Sequence, residues 1–327
     1  MNRFLPSVCR SQWHAGGPGG GRREKLSGPD FRNRPASSRI VISVGAGVRY
    51  LWACILLVAP ALDGQQPDPV EIIRRSVERD RLNFERANDY SYVQHSERRF
   101  LDKDGRVSKV ESHTYDVMVI DGEPYAKLVA KDGKPLSESE ARKEQEKLDR
   151  ELARRRSEPP GERSRRLSEQ DKRRREEREF MQEIPAAFSF RLAGQDTIEG
   201  HPVWVIEAEP KPGYKGRARR ADLLAKFRGK LWIDGQDYAW VRVEAETIAP
   251  VRLGWILARL DPGARLIFEQ RRVHEDVWLP SRALMQLAGR LALVRRLNFE
   301  TEVVWRDYRK FRADSRITKF SETAPSP

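Results

Sequence analysis

The chain is poor in cysteine: Cys9 and Cys54 are the only two among 327 residues. Both lie in the first 64 residues, so the rest of the chain contains no thiol. From residue 65 onward this excludes disulfides, thiolate metal sites and cysteine nucleophiles. Such a composition fits an oxidising compartment.

Long apolar runs are equally scarce. The one strongly apolar run, residues 51–62, is shorter than the ~20 residues that a membrane-spanning helix requires. Arg49 precedes it and an Ala-Pro-Ala tripeptide at 59–61 ends it, which matches the basic start and small-residue cleavage site of a secretory signal. The alternative is a buried core helix, but the proline and the following Asp63 would break it. We therefore predict a signal peptide and export to the periplasm.

The preceding residues, 1–48, are rich in glycine, proline, arginine and serine, and they show no hydrophobic periodicity. This composition is typical of disordered segments. Cleavage near Ala61 or Gly64 would divide the chain into a leader at 1–64 and one exported domain at 65–327. Because signals normally begin at the N-terminus, one hypothesis is that synthesis starts near Val48.

Catalytic signatures are absent. The sequence contains no G-x-S-x-G elbow, glycine-rich phosphate loop, H-E-x-x-H motif or EF-hand loop. We expect no enzyme activity and no cofactor. Carboxylates at i,i+2, such as Glu300 and Glu302, have a spacing that a glycosidase could use, but the charged outer face of a sheet has the same spacing.

One pair of histidines raises a metal hypothesis. If residues 103–105 form a three-residue turn between two strands, His95 lies opposite His113, near enough to share a metal. The alternative, which we favour, is a solvent-facing pair, so no metal is expected.

Charge is concentrated in one segment. The chain has 62 Lys+Arg and 49 Asp+Glu, a net charge of +13, and residues 137–179, here called the charged arm, are almost entirely charged or polar. Acid-first i,i+4 pairs predict two helices, interrupted by Pro159-Pro160-Gly161. Leu148 and Leu152 are the only close apolar pair, so we expect a solvated, peripheral arm that folding does not require.

Because acids alternate with bases in this arm, nucleic acid is not expected as a partner. An anionic membrane surface or an acidic protein fits better.

The remaining segments predict an α+β domain. Asp68 and Pro69 open an amphipathic helix that continues to about residue 87, with Leu82 at the flank of its apolar stripe. Strands then dominate, separated by short turns, which predicts one large curved antiparallel sheet. The predicted strands cover residues 90–101, 107–120, 125–131, 188–193, 203–209, 230–233, 238–247, 253–260, 265–273, 281–294 and 296–305.

Four phrases within these strands carry a resemblance to a known family. They are Gly194-x-x-x-x-x-Gly200 running into His201-Pro202-Val203-Trp204-Val205-Ile206, Leu231-Trp232-Ile233-Asp234, Val277-Trp278-Leu279-Pro280 and Tyr308-x-x-Phe311. Together they resemble the lipoprotein-localisation (LolA/LolB-like) superfamily over residues 68–311, interrupted by the charged arm. The resemblance implies a half-open β-barrel wrapped over helices. It also implies binding of lipid or acyl chains in an apolar concavity, or a role as an envelope sensor.

The tryptophans point independently to a concavity. The sheet segments contain more of them than one leading helix can cover, and an apolar cavity with few polar groups suits an acyl chain. The tryptophans are Trp204, Trp232, Trp240, Trp255, Trp278 and Trp305.

We therefore expect a non-catalytic protein that binds a lipid or a lipoprotein acyl group. One alternative is a sensor or interaction protein that docks a partner through the charged arm, and a second is a hydrolase with no recognisable signature. Alternation along the last strand places several apolar side chains on one face, which we expect to line the cavity. If Phe299 faces open space there, Phe299→Asp should abolish lipid binding. The cavity-lining candidates are Trp278, Leu297, Phe299, Val303 and Trp305.

Overall fold

The computed structural model describes residues 67–253, 258–274, 277–291 and 295–310. In these ranges the chain forms four α-helices, one 3-10 helix and thirteen strands. The helices are α1 Pro69–Ala87, α2 Glu138–Arg156, α3 Pro160–Gln182, α4 Ile184–Ala187 and the 3-10 helix Ala221–Lys226. The strands are β1 Tyr90–Leu101, β2 Val107–Ile120, β3 Glu123–Lys131, β4 Lys134–Pro135, β5 Phe188–Ile198, β6 His201–Pro210, β7 Phe227–Asp234, β8 Trp240–Thr247, β9 Val251–Leu253, β10 Ala258–Leu260, β11 Arg265–His274, β12 Val277–Leu291 and β13 Arg295–Lys310.

The strands form a single antiparallel sheet. Its main path runs β4-β3-β2-β1-β13-β12-β11-β8-β7-β6-β5, and the short strands β9 and β10 attach beside β12. The outermost strands, β4 and β5, do not pair with each other, so the curved sheet stays open. The prediction of an α+β half-open barrel is confirmed. The predicted leader and signal peptide, residues 1–64, lie outside the described residues.

Helix α1 begins as the sequence predicts. Asp68 caps it by accepting a hydrogen bond from the Val70 backbone at 2.9 Å, and a proline occupies its first turn. Ile72, Ile73 and Val77 are buried against the inner face of the sheet, where they form its largest apolar cluster with residues of β6, β7 and β8. Leu82, expected at the flank of this stripe, is instead exposed. Within the described ranges, no helix is both long and apolar enough to cross a membrane.

Strand β13 shows why the sheet has one apolar face. Phe299, Val303 and Trp305 are buried on the concave side, as strict alternation requires. On the convex side, Glu300 accepts a hydrogen bond from Arg99 at 2.9 Å, and Glu302 accepts one from Arg282 at 2.7 Å. These carboxylates therefore belong to cross-strand ion pairs on the outer face.

Two details of the sheet differ from expectation. Residues 253–260, predicted as one strand, contribute to two strands, β9 and β10, which pair antiparallel with Leu253 opposite Ala258. The β1–β2 turn closes as predicted, with the Asp102 amide donating to the Arg106 carbonyl at 2.9 Å.

A bulge next to that turn overturns the metal hypothesis. The register shifts by one residue between Phe100 and Leu101, because Ser108 is an extra residue on β2. His95 therefore lies opposite Thr114, with its Nδ1 2.9 Å from the Thr114 hydroxyl, whereas His113 lies opposite Ser96. A one-residue shift moves a side chain to the other face of a sheet, so the two histidines do not face each other. No cluster of three potential metal ligands occurs among the described residues.

The charged arm forms the two predicted helices, α2 and α3, but it is not peripheral. Leu148 is buried, and Arg155 donates to Glu123 at the start of β3 at 2.6 Å. Helix α3 continues to Gln182, and Met181 near its end is buried in the cluster beneath α1. The arm thus packs against the sheet through charged contacts and a few apolar side chains.

Candidate functional site

A cavity of about 490 Å³ lies on the concave side of the sheet, within the roughly 300–1,000 Å³ typical of small-molecule sites. Helix α1 fills the neighbouring part of the concave face, which leaves this space beside its C-terminal half. Three parts of the chain line the cavity: the end of α1, the inner face of strands β1, β8, β11, β12 and β13, and the β2–β3 turn with the charged arm.

The sheet contributes an aromatic floor. Phe268 and Trp305 meet at this floor in an edge-to-face contact, with their ring centroids 6.5 Å apart. The aromatic residues that line the cavity are Phe84, Tyr90, Tyr92, Tyr125, Trp240, Phe268, Trp278, Trp305 and Tyr308. This aromatic part of the lining is suited to an apolar chain rather than to a polar metabolite.

Polar atoms of three floor residues are already bound inside the protein. The Trp305 indole donates to the Gln94 side chain at 3.1 Å, and the Trp278 indole donates to Asp237 at 2.9 Å. The Tyr308 hydroxyl donates to the Pro280 carbonyl at 2.6 Å. Burial raises the pKa of the Tyr308 phenol well above its usual value, and the nearby Tyr92 adds to this shift, so the group stays neutral. These residues therefore offer the cavity apolar ring surface.

Asn83 joins helix α1 to the floor. Its side-chain amide donates to the Trp278 carbonyl, and its side-chain oxygen accepts from the Trp278 amide at 2.8 Å. These two hydrogen bonds take the place of a neighbouring strand at this point of β12, because they satisfy the backbone N–H and C=O groups of the buried Trp278. Asn83 is itself buried, so it fixes the distance between helix and sheet that the cavity requires.

Asp237 holds the Trp278 indole in position. Burial opposes ionisation of its carboxyl, yet hydrogen bonds from the indole, from the Ala239 amide and from Arg272 at 2.8 Å, together with the charge of Arg79, hold its pKa below the usual value. The carboxylate is therefore charged at neutral pH and acts as a fixed acceptor beneath the cavity floor.

The opposite side of the cavity is charged. Glu123, at the β2–β3 turn, lies 2.6 Å from Arg155 and 3.6 Å from Arg166, both belonging to the arm. Gln170 of α3 donates to the Gly122 carbonyl at 3.2 Å. The arm thus forms one wall of the cavity and is held there by a group of ion pairs centred on Glu123.

The sequence-predicted lining residues fall into three groups. Trp278 and Trp305 line the cavity. Phe299 and Val303 are buried in clusters on the same concave face, beside the cavity rather than in its lining. The side chain of Leu297 lies outside the described part of the structure.

The other tryptophans divide in the same way. Trp240 lines the cavity. Trp232 packs instead against Arg242, whose guanidinium carbon lies 5.3 Å from the centre of a Trp232 ring, and Trp204 packs against Tyr238. Trp255 lies outside the described residues.

Sequence reasoning missed the contributions of α1 and of the arm. Asn83 and Phe84 lie within the predicted helix, but nothing in the helical pattern indicates that they face an open space. Residues 170, 173, 174 and 177 have i,i+3 and i,i+4 spacing, which indicated one face of a helix, but their polarity suggested solvent rather than a cavity.

Comparison with known proteins finds similarity to solved structures, at low identity and low TM-score. No protein-family model matches the sequence, and no curated protein matches it. Among solved structures, the chain is similar to a domain named for outer membrane lipoprotein sorting from Vibrio parahaemolyticus, with 12% identity, coverage of 75% of this chain and 95% of that one, and a TM-score of 0.31. It is also similar to a DUF1329 family protein from Desulfovibrio piger, with 13% identity, 76% and 95% coverage, and a TM-score of 0.30.

A third solved structure is named for the superfamily that the four sequence phrases resemble. It is a LolA superfamily protein from Nitrosomonas europaea, with 11% identity, coverage of 75% of this chain and 93% of that one, and a TM-score of 0.26.

Proposed function

We propose that this protein binds an acyl chain, of a lipid or of a lipoprotein, in the cavity on the concave side of its sheet, and that it does so without catalysing a reaction. The observation that carries this proposal is the aromatic floor, whose polar atoms on Trp278, Trp305 and Tyr308 are bound within the protein. The predicted signal peptide would place this activity in the periplasm.

The free energy of such binding comes mainly from burial of the ligand's apolar tail, its acyl chain. Each buried methylene contributes about 0.8 kcal/mol, so ten methylenes contribute about 8 kcal/mol. Association costs about 4 kcal/mol or more, which leaves a modest net affinity for a short tail. A longer chain, or a further contact with the headgroup, would strengthen binding.

Docking of a partner through the charged arm is another function that the sequence leaves open. The contacts of the arm support a role in the cavity instead, because Glu151, Arg155 and Gln170 all line it. The face of the arm that carries these residues is therefore directed toward the protein's own sheet and cavity.

Displacement of a fluorescent fatty acid tests the proposal. Val119 lines the cavity near the end of β2, whereas Val110 lies on the same strand in an exposed position away from it. Val119→Trp should lower the affinity for the probe at least tenfold, because the indole ring would fill the part of the cavity that holds the acyl chain. Val110→Trp should bind the probe like wild type. Circular dichroism verifies that both variants are folded.

The decisive result concerns the wild type. Protein that has been stripped of lipid, remains folded and takes up no acyl probe would overturn the proposal. Mass spectrometry of lipids retained through gentle purification would identify the chain that the protein carries in the cell.

A further inference from the structure

The carboxylates that line the cavity are already engaged. Arg155 donates to Glu151 at 2.7 Å and to Glu123 at 2.6 Å, so these three charges satisfy one another. Asp80 and Glu177, the other lining carboxylates, also interact with neighbours. The acidic side chains of the lining therefore have partners before any ligand arrives.

Two arginines of the same wall differ from this pattern. Arg173 and Arg174 both line the cavity. Arg173 has 53% of its side chain exposed, and its Nη2 lies 3.9 Å from Glu123, beyond hydrogen-bonding distance. Arg174 makes one hydrogen bond within the described part of the chain, a long one of 3.5 Å to the Gly122 carbonyl. A guanidinium has five N–H donors, so most donors of this pair remain available to a ligand.

The position of these arginines suits an amphiphile. They follow each other on α3, and they line the same cavity as the aromatic floor. The planar guanidinium matches the spacing of carboxylate and phosphate oxygens and binds them through paired hydrogen bonds. A ligand with its tail against the floor would place an anionic headgroup within reach of this wall.

We infer that the cavity selects amphiphiles with an anionic headgroup, and that Arg173 and Arg174 bind the carboxylate or phosphate oxygens of that headgroup. The inference rests on the proposed function, because it requires the tail to occupy the cavity. It adds a class of ligand: one apolar chain that ends in a negatively charged group.

Three matched ligands test the inference by competition with the fluorescent probe: hexadecanoate, hexadecyl phosphate and the neutral hexadecanol. Inorganic phosphate alone serves as a headgroup without a tail. The variants are Arg174→Gln, Arg174→Lys and Arg173→Gln, with Arg175→Gln as the control, since Arg175 is exposed on the same helix and does not line the cavity. Thermal denaturation verifies the fold of each variant.

Wild type should bind the two anionic ligands at least tenfold more tightly than hexadecanol, which corresponds to about 1.4 kcal/mol. Arg174→Gln should remove most of that preference and leave hexadecanol binding unchanged, and Arg173→Gln should reduce the preference partly. Arg174→Lys should retain part of it, and Arg175→Gln should behave like wild type. Added salt should weaken the preference for anions, because exposed charges are screened.

Two results would overturn the inference while tail binding stands: equal affinity of wild type for all three amphiphiles, or an equal loss of hexadecanol and hexadecanoate binding in Arg174→Gln. Competition by inorganic phosphate as strong as that by hexadecyl phosphate would also overturn it, because the anion site would then act without a tail. Failure of wild type to bind any amphiphile would instead refute the proposed function.

Discussion

Replacing Glu123 with glutamine removes the charge that holds the arm against the sheet. Its side chain is 19% exposed, and those of its partners Arg155 and Arg166 are 11% and 13% exposed. Breaking a buried ion pair costs about 3–5 kcal/mol, and breaking an exposed one costs about 0–1 kcal/mol. Arg155 keeps Glu151, and Arg166 keeps Glu158 at 2.8 Å, so the remaining charges are not left alone. We therefore expect Glu123→Gln to lower the free energy of unfolding by about 1–3 kcal/mol.

Urea denaturation measures this loss as a lower midpoint with an unchanged slope. Glu111→Gln is the matched control, because its ion pair with Lys109 at 2.6 Å is more exposed and should contribute about 1 kcal/mol or less. Trypsin provides a second readout, since a loosened arm should be cut faster at its many basic residues. The reasoning fails if Glu123→Gln is as stable as Glu111→Gln and its arm is cut at the wild-type rate.

Three further predictions concern the floor of the cavity and the clusters beside it. Asn83→Ala leaves two buried backbone groups of Trp278 without partners, at about 1–3 kcal/mol each, so thermal denaturation should show a loss of about 2–6 kcal/mol; a wild-type melting temperature would contradict this. Phe299 is 7% exposed within an apolar cluster, so Phe299→Asp should unfold the domain and Phe299→Ala should cost about 3–5 kcal/mol; a folded, stable Asp variant would show that the site is open. The pKa of Asp237 is lower in the folded protein than in the unfolded chain, where an aspartate has a pKa of about 3.9. The ionised carboxylate therefore stabilises the fold at pH values above about 3.9, and this stabilisation is lost as the pH falls through the pKa of the folded state. The difference in unfolding free energy between wild type and Asp237→Asn should be constant above about pH 5 and shrink in acid; a difference independent of pH would refute it.

The arrangement of helices and strands is predictable from the sequence because its signals are local. The cap and proline at the start of α1 and the alternation along β13 each determine an element without reference to distant residues. The register of β1 and β2 is not predictable in this way. It depends on the bulge at Ser108, where the side-chain hydroxyl donates to the Phe100 carbonyl at 3.0 Å, and no local composition marks an inserted residue.

The cavity is predictable only in part, for a related reason. An excess of tryptophans indicates that a concave face needs covering, and Trp240, Trp278 and Trp305 do line it. The wall opposite depends on contacts such as that of Arg155 with Glu123, 32 residues earlier in the chain. Because a charged helix lacks an apolar stripe, its sequence does not show which side packs against the protein. Only the three-dimensional pairing of charges reveals that the arm borders the cavity.

The pairing of β1 with β13 has a consequence for how the protein is made. The first strand of the sheet hydrogen-bonds to the last, and the Trp305 indole meets Gln94, 211 residues away. Contacts between such distant segments form slowly, because a long loop must close before they contribute. A growing chain thus has no cavity until its final strand has been synthesised, and until then β1 and β12 each present an unpaired edge that can join other chains. We expect the nascent chain to need protection from aggregation over nearly its whole length, and ligand loading to follow, never precede, completion of synthesis.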